Sequence, residues 1–297
     1  MAYTDRRAYL ELHLAVFLWG FTAILGDLIQ LSALTLVWWR VLLTSLSLIF
    51  FIRIGRIVRE VGARRLLLLA GIGTIVALHW VTFYGAIKLA NASIALVCMA
   101  TTSLFSSLVE PFIVGRRFVW YELLLGVFIL PGIWLIVDGV DAGMNLGIAV
   151  GLLSALLVSI FTSLNKKYIG SSDPLRITFI ELGAATLFLT PFLYSLGGER
   201  FWPSPLDWVY LLILALLCTT LTFFLSLRSL QQLSAFASNL TVNLEPVYGI
   251  FLAYFLLDDA QELSPTFYWG TALIIVAVFG YTGLTRLLRR RRLLVQP

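Results

Sequence analysis

SAFASNLTVNLEPVYG (Ser234–Gly249) lies inside an apolar run long enough to cross a bilayer. It nevertheless carries Ser234, Ser238, Asn239, Thr241, Asn243 and a carboxylate, Glu245, followed directly by Pro246. An earlier stretch, TTSLFSSLVEPFI (Thr101–Ile113), has the same make-up: Thr101, Thr102, Ser103, Ser106 and Ser107, then Glu110-Pro111. The two Glu-Pro pairs stand a little under half the chain apart. A polar, proline-broken membrane segment in each half is the pattern of a transporter built from an internal repeat.

Composition supports the membrane setting. Of the 297 residues, 60% are hydrophobic and 12% charged, and the mean hydropathy is +0.95. Soluble domains run at about 45–50% apolar and about 25% charged. The apolar residues fall in runs of about 20, the length a spanning helix needs. Backbone groups in lipid must bond internally, so helices or a closed barrel are the choices. Barrel strands alternate in hydropathy; these runs do not. The expected fold is therefore all-α and polytopic, with spans near 10–29, 34–53, 66–87, 91–114, 119–138, 146–168, 176–196, 206–229, 235–257 and 266–287.

The basic residues orient these ten spans, because cytoplasmic loops are enriched in Lys and Arg. All but three of the 21 Lys and Arg fall on one side, from Arg6 and Arg7 to the tail Arg286–Arg292. The exceptions are Lys88 and Arg200 on the other side and Arg40 inside a span, near its outer end. Both termini are thus expected in the cytoplasm. The net charge of +5 is a matter of topology, not of nucleic acid. Arg6, Arg7 and the apolar run after them resemble a signal sequence, but no small-residue cleavage site follows, so the run is read as the first helix. Cys98 and Cys218 fall in apolar runs without a CxxC and read as packing residues.

Ten spans divide into two fives, residues 1–140 and 141–297. An odd number of spans per unit forces the second to start on the opposite side, so the halves are expected to be inverted repeats. Phe21-Thr22 matches Phe161-Thr162, and Arg40 in TLVWWRVLLTSL matches Glu181 in RITFIELGAATL.

These residues carry a resemblance. LHLAVFLWGFTAIL, Arg40 in the second helix, ALVCMATTSLFSSLVEPF, NLTVNLEPVYGIFLAYFLLDD and YWGTALIIVAVFGYT resemble the EamA-type branch of the drug/metabolite transporter superfamily over nearly the whole chain. Within it the chain is most similar to YddG-like exporters of aromatic and other neutral amino acids. The resemblance implies two inverted five-helix repeats, export of small metabolites by alternating access, and a bacterial cytoplasmic (inner) membrane location. A nucleotide-sugar or sugar-phosphate cargo is disfavoured, since phosphate wants cations in the cavity. An intramembrane enzyme is disfavoured as well: there is no GxSxG, HExxH or metal cluster. The expected partners are the bilayer and a small amino acid, with no cofactor or metal and a monomer or weak homodimer.

Candidate site residues follow from polarity in the spans. An ionisable group at the bilayer centre costs about 3 kcal/mol on insertion scales and needs a partner, a wet cavity or a role. His79 lies midway along the third helix, with Thr82 and Phe83 on its face. It either binds substrate or a proton, or is satisfied by a hydroxyl on a neighbouring helix. Thr102, Ser106 and Glu110 share one helix face; Ser159, Thr162, Ser163 and Lys166 share another; Thr219, Thr222 and Ser226 a third; Asn239 and Asn243 a fourth. Such stripes line a cavity or bond helix to helix. Trp19, Phe83, Phe223 and Phe224 lie deep enough to wall a pocket for a bulky side chain. The expected binding set is His79, Phe83, Trp19, Thr102, Ser163, Phe223, Asn239 and Asn243. Glu110-Pro111 and Glu245-Pro246 are expected to serve coupling or gating: as kinks that free a carbonyl one turn back, or through their carboxylates.

Overall fold

A computed structural model describes residues 3–52, 61–137, 142–196 and 200–245, together with 55, 247–249, 252, 269, 270, 272, 273, 276, 277 and 280. Pro246, most of the expected tenth span and the basic tail lie outside the described residues. The described elements are helical: α1 (Tyr3–Leu28), α2 (Ala33–Ile49), α3 (Ala63–Leu89), α4 (Ala92–Ala100), α5 (Thr102–Glu110), α6 (Trp120–Val137), α7 (Asn145–Ile169), α8 (Pro174–Leu189), α9 (Pro205–Ala215), α10 (Thr222–Leu230) and α11 (Ala235–Val242). Among the described residues, six stretches are long and apolar enough to cross a membrane: Arg6–Leu28, Ala63–Leu89, Ile94–Gly115, Asn145–Ile169, Pro174–Tyr194 and Pro205–Leu230. The chain is an all-α, multi-span membrane protein.

Helix starts follow the sequence signals. The side chains of Asn91, Asp173 and Ser234 accept hydrogen bonds from Ile94, Leu175 and Ala237 N–H groups at 2.8, 3.1 and 3.0 Å. Ser204 and Asp207 form a reciprocal capping box ahead of α9, with Pro205 at its first position; each such cap satisfies backbone donors that the helix leaves free.

Two spans expected as single helices change winding midway. The span at 91–114 breaks at Thr101 between α4 and α5, then turns into π-helix over Pro111–Gly115. The proline accounts for the second change, since it has no N–H to continue the α pattern. The span at 206–229 contains a π segment, Leu216–Leu221, between α9 and α10. No proline or glycine marks it; instead Thr219 and Thr220 hydroxyls donate to carbonyls five residues back, Leu214 and Ala215, at 2.7 and 2.9 Å. Pro131 stands inside the continuous α6.

Small residues let the helices approach. A Cβ on Gly147 would lie 2.6 Å from the Ala90 Cβ, and one on Gly151 2.8 Å from the Cys98 Cβ. This is the Gly-xxx-Gly face of α7 against α4 and the end of α3. Gly73 on α3 sits against the Glu181 backbone of α8, where any Cβ would overlap the Glu181 carbonyl.

The hydrogen bonds sort helix ends into two groups. At one end Arg65 donates to the Tyr168 carbonyl (2.7 Å) and the Ser172 hydroxyl (2.6 Å), and Lys166 to the Leu230 carbonyl (2.8 Å). Arg228 pairs there with Glu11 at 2.6 Å. At the other, Lys88 donates to the Ile29 carbonyl (3.2 Å), the Gln30 N–H to Asp207 (2.9 Å), and the Trp39 indole to the Phe201 carbonyl (2.9 Å). Trp39 is buried among Trp38, Phe201, Trp202 and Trp208. Trp120, Trp202 and Trp269 are exposed, as belt residues should be.

Candidate functional site

A cavity of about 70 Å³ lies within the bundle, against about 10–15 Å³ for one water. It has room for a small solute. Seven parts of the chain wall it: α1 with Trp19 and Thr22, α2 with Arg40, α3 with His79, Trp80 and Phe83, α4 with Met99, α7 with Phe161, Thr162 and Asn165, α10 with Phe223 and Ser226, and α11 with Ser238 and Asn239, followed by Glu245.

One wall is aromatic. His79 lies with its ring centroid 5.6 Å from Phe161 and 6.2 Å from Phe83; Phe223 lies 5.7 Å from Trp80 and 6.5 Å from Phe161. The His79 contacts are tilted, Phe223 meets Trp80 edge-on and Phe161 in a stack, arrangements that suit the ring quadrupoles. His79 is also fixed from behind. Its Nδ1 meets the Ser154 hydroxyl at 2.8 Å and the Ser154 carbonyl at 3.2 Å, and the Ser154 hydroxyl donates to the His79 carbonyl at 3.0 Å. With that hydroxyl already donating, Nδ1 is the donor and Nε2 is left as the ring's acceptor. His79 is thus both satisfied by a neighbouring helix and part of the cavity wall.

The other wall is charged. Arg40 is 2% exposed. Its Nε donates to the Thr219 hydroxyl at 2.7 Å, Nη1 to the Tyr84 hydroxyl at 2.9 Å, and Nη2 to the Cys218 carbonyl at 3.3 Å. Its Cζ stands 4.0 Å over the Trp80 ring, a cation–π contact. Cys218 and Thr219 belong to the π segment, so the unusual winding presents both partners to Arg40; π turns inside α-helices recur at functional sites. Among the described residues Glu245, 6% exposed, meets only the Thr22 hydroxyl, which donates at 3.5 Å. Asn165 gives its amide N–H to the fully buried Glu181 at 3.3 Å, while Asn165 Oδ1 and Glu181 Oε1 have no partner among the described residues.

The expected binding residues divide. Trp19, His79, Phe83, Phe223, Asn239 and Glu245 line the cavity. Thr102, Ser163 and Asn243 do not; they are buried between helices. The Thr102 carbonyl accepts from Ser106 and Ser159 at 2.7 and 3.0 Å. Asn243 donates to Ser103 at 2.9 Å, and Asn239 to Ser106 at 2.6 Å. Glu110 is also away from the cavity. Its oxygens accept the Ala235 and Phe236 N–H groups at 3.0 and 2.8 Å, capping α11, and pair with Arg116 at 2.9 Å. Arg116 bridges on to Glu122. Burial weakens the Arg116 charge, but Glu110 and Glu122 more than offset that and hold its pKa above the usual guanidinium value. Pro111 begins the π turn after Glu110. Arg40 corrects the expectation of a place near the outer end of its span: it stands midway along α2 and faces the cavity.

The EamA-like transporter family model matches twice, at residues 6–138 and 145–283. The chain belongs to the EamA-like transporter family. Membership makes this EamA-like protein a membrane transporter rather than an enzyme. No curated protein sequence matches it. Among solved structures it is similar to one titled "Crystal structure of protein", with a TM-score of 0.72 at 18% identity, covering 95% of this chain and 98% of the other. At that identity the likeness speaks for the fold. Both matched segments contribute to the cavity of the EamA-like chain: α1 to α4 from the first, and α7, α10 and α11 from the second. Among the described residues no cluster of His, Cys, Asp and Glu is arranged to hold a metal ion.

Sequence reading missed Arg40, Trp80, Phe161 and Asn165 as cavity residues. Arg40 carried a signal, as a cation inside a span. Asn165 precedes Lys166-Lys167 and was masked by that basic run. Phe161 carried one in its match to Phe21, and Trp80 had none beyond being aromatic.

Proposed function

We propose that this EamA-like transporter exports aromatic and other neutral amino acids across a bacterial cytoplasmic membrane by alternating access. Ten helices in two inverted five-helix repeats, 1–140 and 141–297, would rock about the cavity, with both termini in the cytoplasm and the protein acting as a monomer or weak homodimer. The observation that carries the reading is the cavity itself, walled by Trp80, Phe83, Phe161 and Phe223 yet holding a cation, a carboxyl group and the His79 imidazole. A flat or branched apolar side chain fits the first set of groups, and a small polar head the second. The doubled family match supports the repeats. The grouping of Arg65, Lys166 and Arg228 at one end supports the orientation, since that end also carries Glu11, near the N-terminus.

From sequence a sugar-phosphate cargo is disfavoured because the one cation inside a span, Arg40, is expected near its outer end. Arg40 removes that ground. A different one replaces it: a single guanidinium shared with the Glu245 carboxyl is poor compensation for a phosphate carrying about two negative charges.

Efflux of labelled phenylalanine from proteoliposomes tests the reading. We expect saturable efflux above protein-free vesicles, accelerated by unlabelled phenylalanine or leucine outside. Absence of efflux for every amino acid would sink the assignment and leave another small metabolite or drug as cargo. A parallel run with an imposed pH gradient separates proton-coupled export from facilitated diffusion.

A further inference from the structure

We propose that Arg40 is the anchor for a carboxylate on the transported molecule, so that the site takes zwitterions and small monocarboxylates and rejects amines lacking that group. The inference deepens the exporter reading and rests on it only for the rest of the cargo.

Arg40 is a buried cation whose assigned partners are all neutral. Thr219 and Tyr84 offer hydroxyls, and Cys218 a carbonyl. Among the described residues it has no ion pair. A charge taken out of water is costly unless an opposite charge meets it. Hydrogen bonds and the Trp80 face moderate that cost without cancelling the charge. Glu245 lines the same cavity without an ion pair to Arg40, so what the guanidinium lacks is an anion in direct contact.

The guanidinium is also built to receive one. Five N–H donors project from its plane, and three are accounted for by the three neutral partners, each on a different nitrogen. One N–H on each terminal nitrogen is thus left over to meet an oxygen of a carboxylate, the group whose shape matches the arginine fork. The partners clamp the fork from different directions: Tyr84 from α3, Thr219 and Cys218 from the π segment. Trp80 backs its face. A fork held in this way loses little freedom when a ligand arrives. Arg40 lines the cavity, so the ligand has a place beside it.

Glu245 decides the charge of the ligand. It lines the same cavity with one weak hydroxyl partner, Thr22 at 3.5 Å. A carboxyl group there matches an ammonium group on the cargo and opposes a second negative charge. Monoanions and zwitterions therefore fit, and dianions do not.

Thermal unfolding of the purified full-length protein in detergent tests the anchor without requiring transport, because a ligand that binds the folded state raises the midpoint. The probes are phenylalanine, 3-phenylpropionate (no ammonium) and phenethylamine (no carboxylate). We expect the first two to raise the midpoint and phenethylamine to need about tenfold or more higher concentration. Phenethylamine acting as strongly as phenylalanine, or none of the three acting at millimolar concentration, would overturn the proposal. Arg40→Gln should abolish the difference between the probes. Should Arg40→Gln fail to fold, Arg40→Lys keeps the charge without the fork. It should weaken both carboxylates while leaving phenethylamine unchanged, and an unaltered ranking with full carboxylate affinity counts against the anchor. Stabilisation by 3-phenylpropionate with no amino-acid efflux would leave the anchor standing and refute the exporter reading instead.

Discussion

Glu110 and Glu245 begin as the same feature of the sequence, a carboxylate before proline at the end of a polar helix, and end in opposite surroundings. Glu110 is 1% exposed and fully engaged, with two backbone N–H groups and Arg116 on its oxygens. Glu245 is 6% exposed and meets one distant hydroxyl, facing the cavity. The stripes next to them differ likewise. Ser103 and Ser106 on α5 are spent on Asn239 of α11 and Asn243 just after it, whereas Arg40, across the cavity, keeps donors in reserve. A repeat supplies the same chemical group twice. Which copy becomes structural depends on whether a neighbouring helix start consumes it: α11 begins at Glu110, and among the described residues no helix begins at Glu245.

The sharpest way to break this comparison is to remove Glu110. Glu110→Ala strips the start of α11 of its acceptor and leaves Arg116 with Glu122 alone. Breaking a buried pair of this kind costs about 3–5 kcal/mol, so we expect a large drop in the detergent unfolding midpoint and poor recovery of folded protein. An unfolding midpoint within a degree or two of wild type would mean that the cap does not hold α11 in place.

Gly73 probes the packing behind the cavity and comes next in size. A Cβ there overlaps the Glu181 carbonyl, and backbone cannot rotate away as a side chain can. Gly73→Ala should cost about 1–3 kcal/mol, the usual range for overpacking. It should also disturb the cavity only indirectly, through the Glu181–Asn165 contact. An unchanged midpoint would show that α3 and α8 have more room than the structure gives them.

How much of this was legible beforehand varies by residue. The apolar runs disclosed an all-α, multi-span membrane protein, because the length of an apolar run is a property of the chain alone. The facing of a polar residue is not. Asn239 and Asn243 lie on one stripe and both donate to α5 serines, Ser106 and Ser103, yet of the two only Asn239 borders the cavity. Arg40 was misplaced because its surroundings depend on the Leu216–Leu221 π segment, which no proline or glycine announces. That winding is stabilised by Thr219 and Thr220 bonding backwards, a choice threonine also makes in ordinary α-helices. Pro246 lies outside the described residues, so its expected role in gating stands as a proposal.

Glu245→Gln is the counterpart to Glu110→Ala and reverses its profile. The amide keeps the shape and can still meet Thr22, so the unfolding midpoint should move by the equivalent of less than about 1 kcal/mol. Transport should suffer instead. Half-saturation for phenylalanine should rise about tenfold, a loss near 1.4 kcal/mol, while binding of 3-phenylpropionate, which has no ammonium to lose, should hold or improve. If Glu245→Gln destabilises the fold as Glu110→Ala does, the two carboxylates are doing the same job and the contrast between them is false.

The smallest expected effect tests the satisfied side of the comparison. Asn243→Ala deletes one interhelical hydrogen bond to Ser103, whose measured counterparts in membrane helices average about 0.6 kcal/mol. Asn243 Oδ1 has no partner among the described residues, so the substitution also removes a buried acceptor that gains nothing, and the two changes partly cancel. The midpoint should therefore move little and half-saturation for phenylalanine not at all. A marked loss of transport with the fold intact would place Asn243 in the pathway during some other stage of the cycle. The α5–α11 seam would then be a moving surface, and Glu110, whose contacts hold its end, would be the hinge on which it turns.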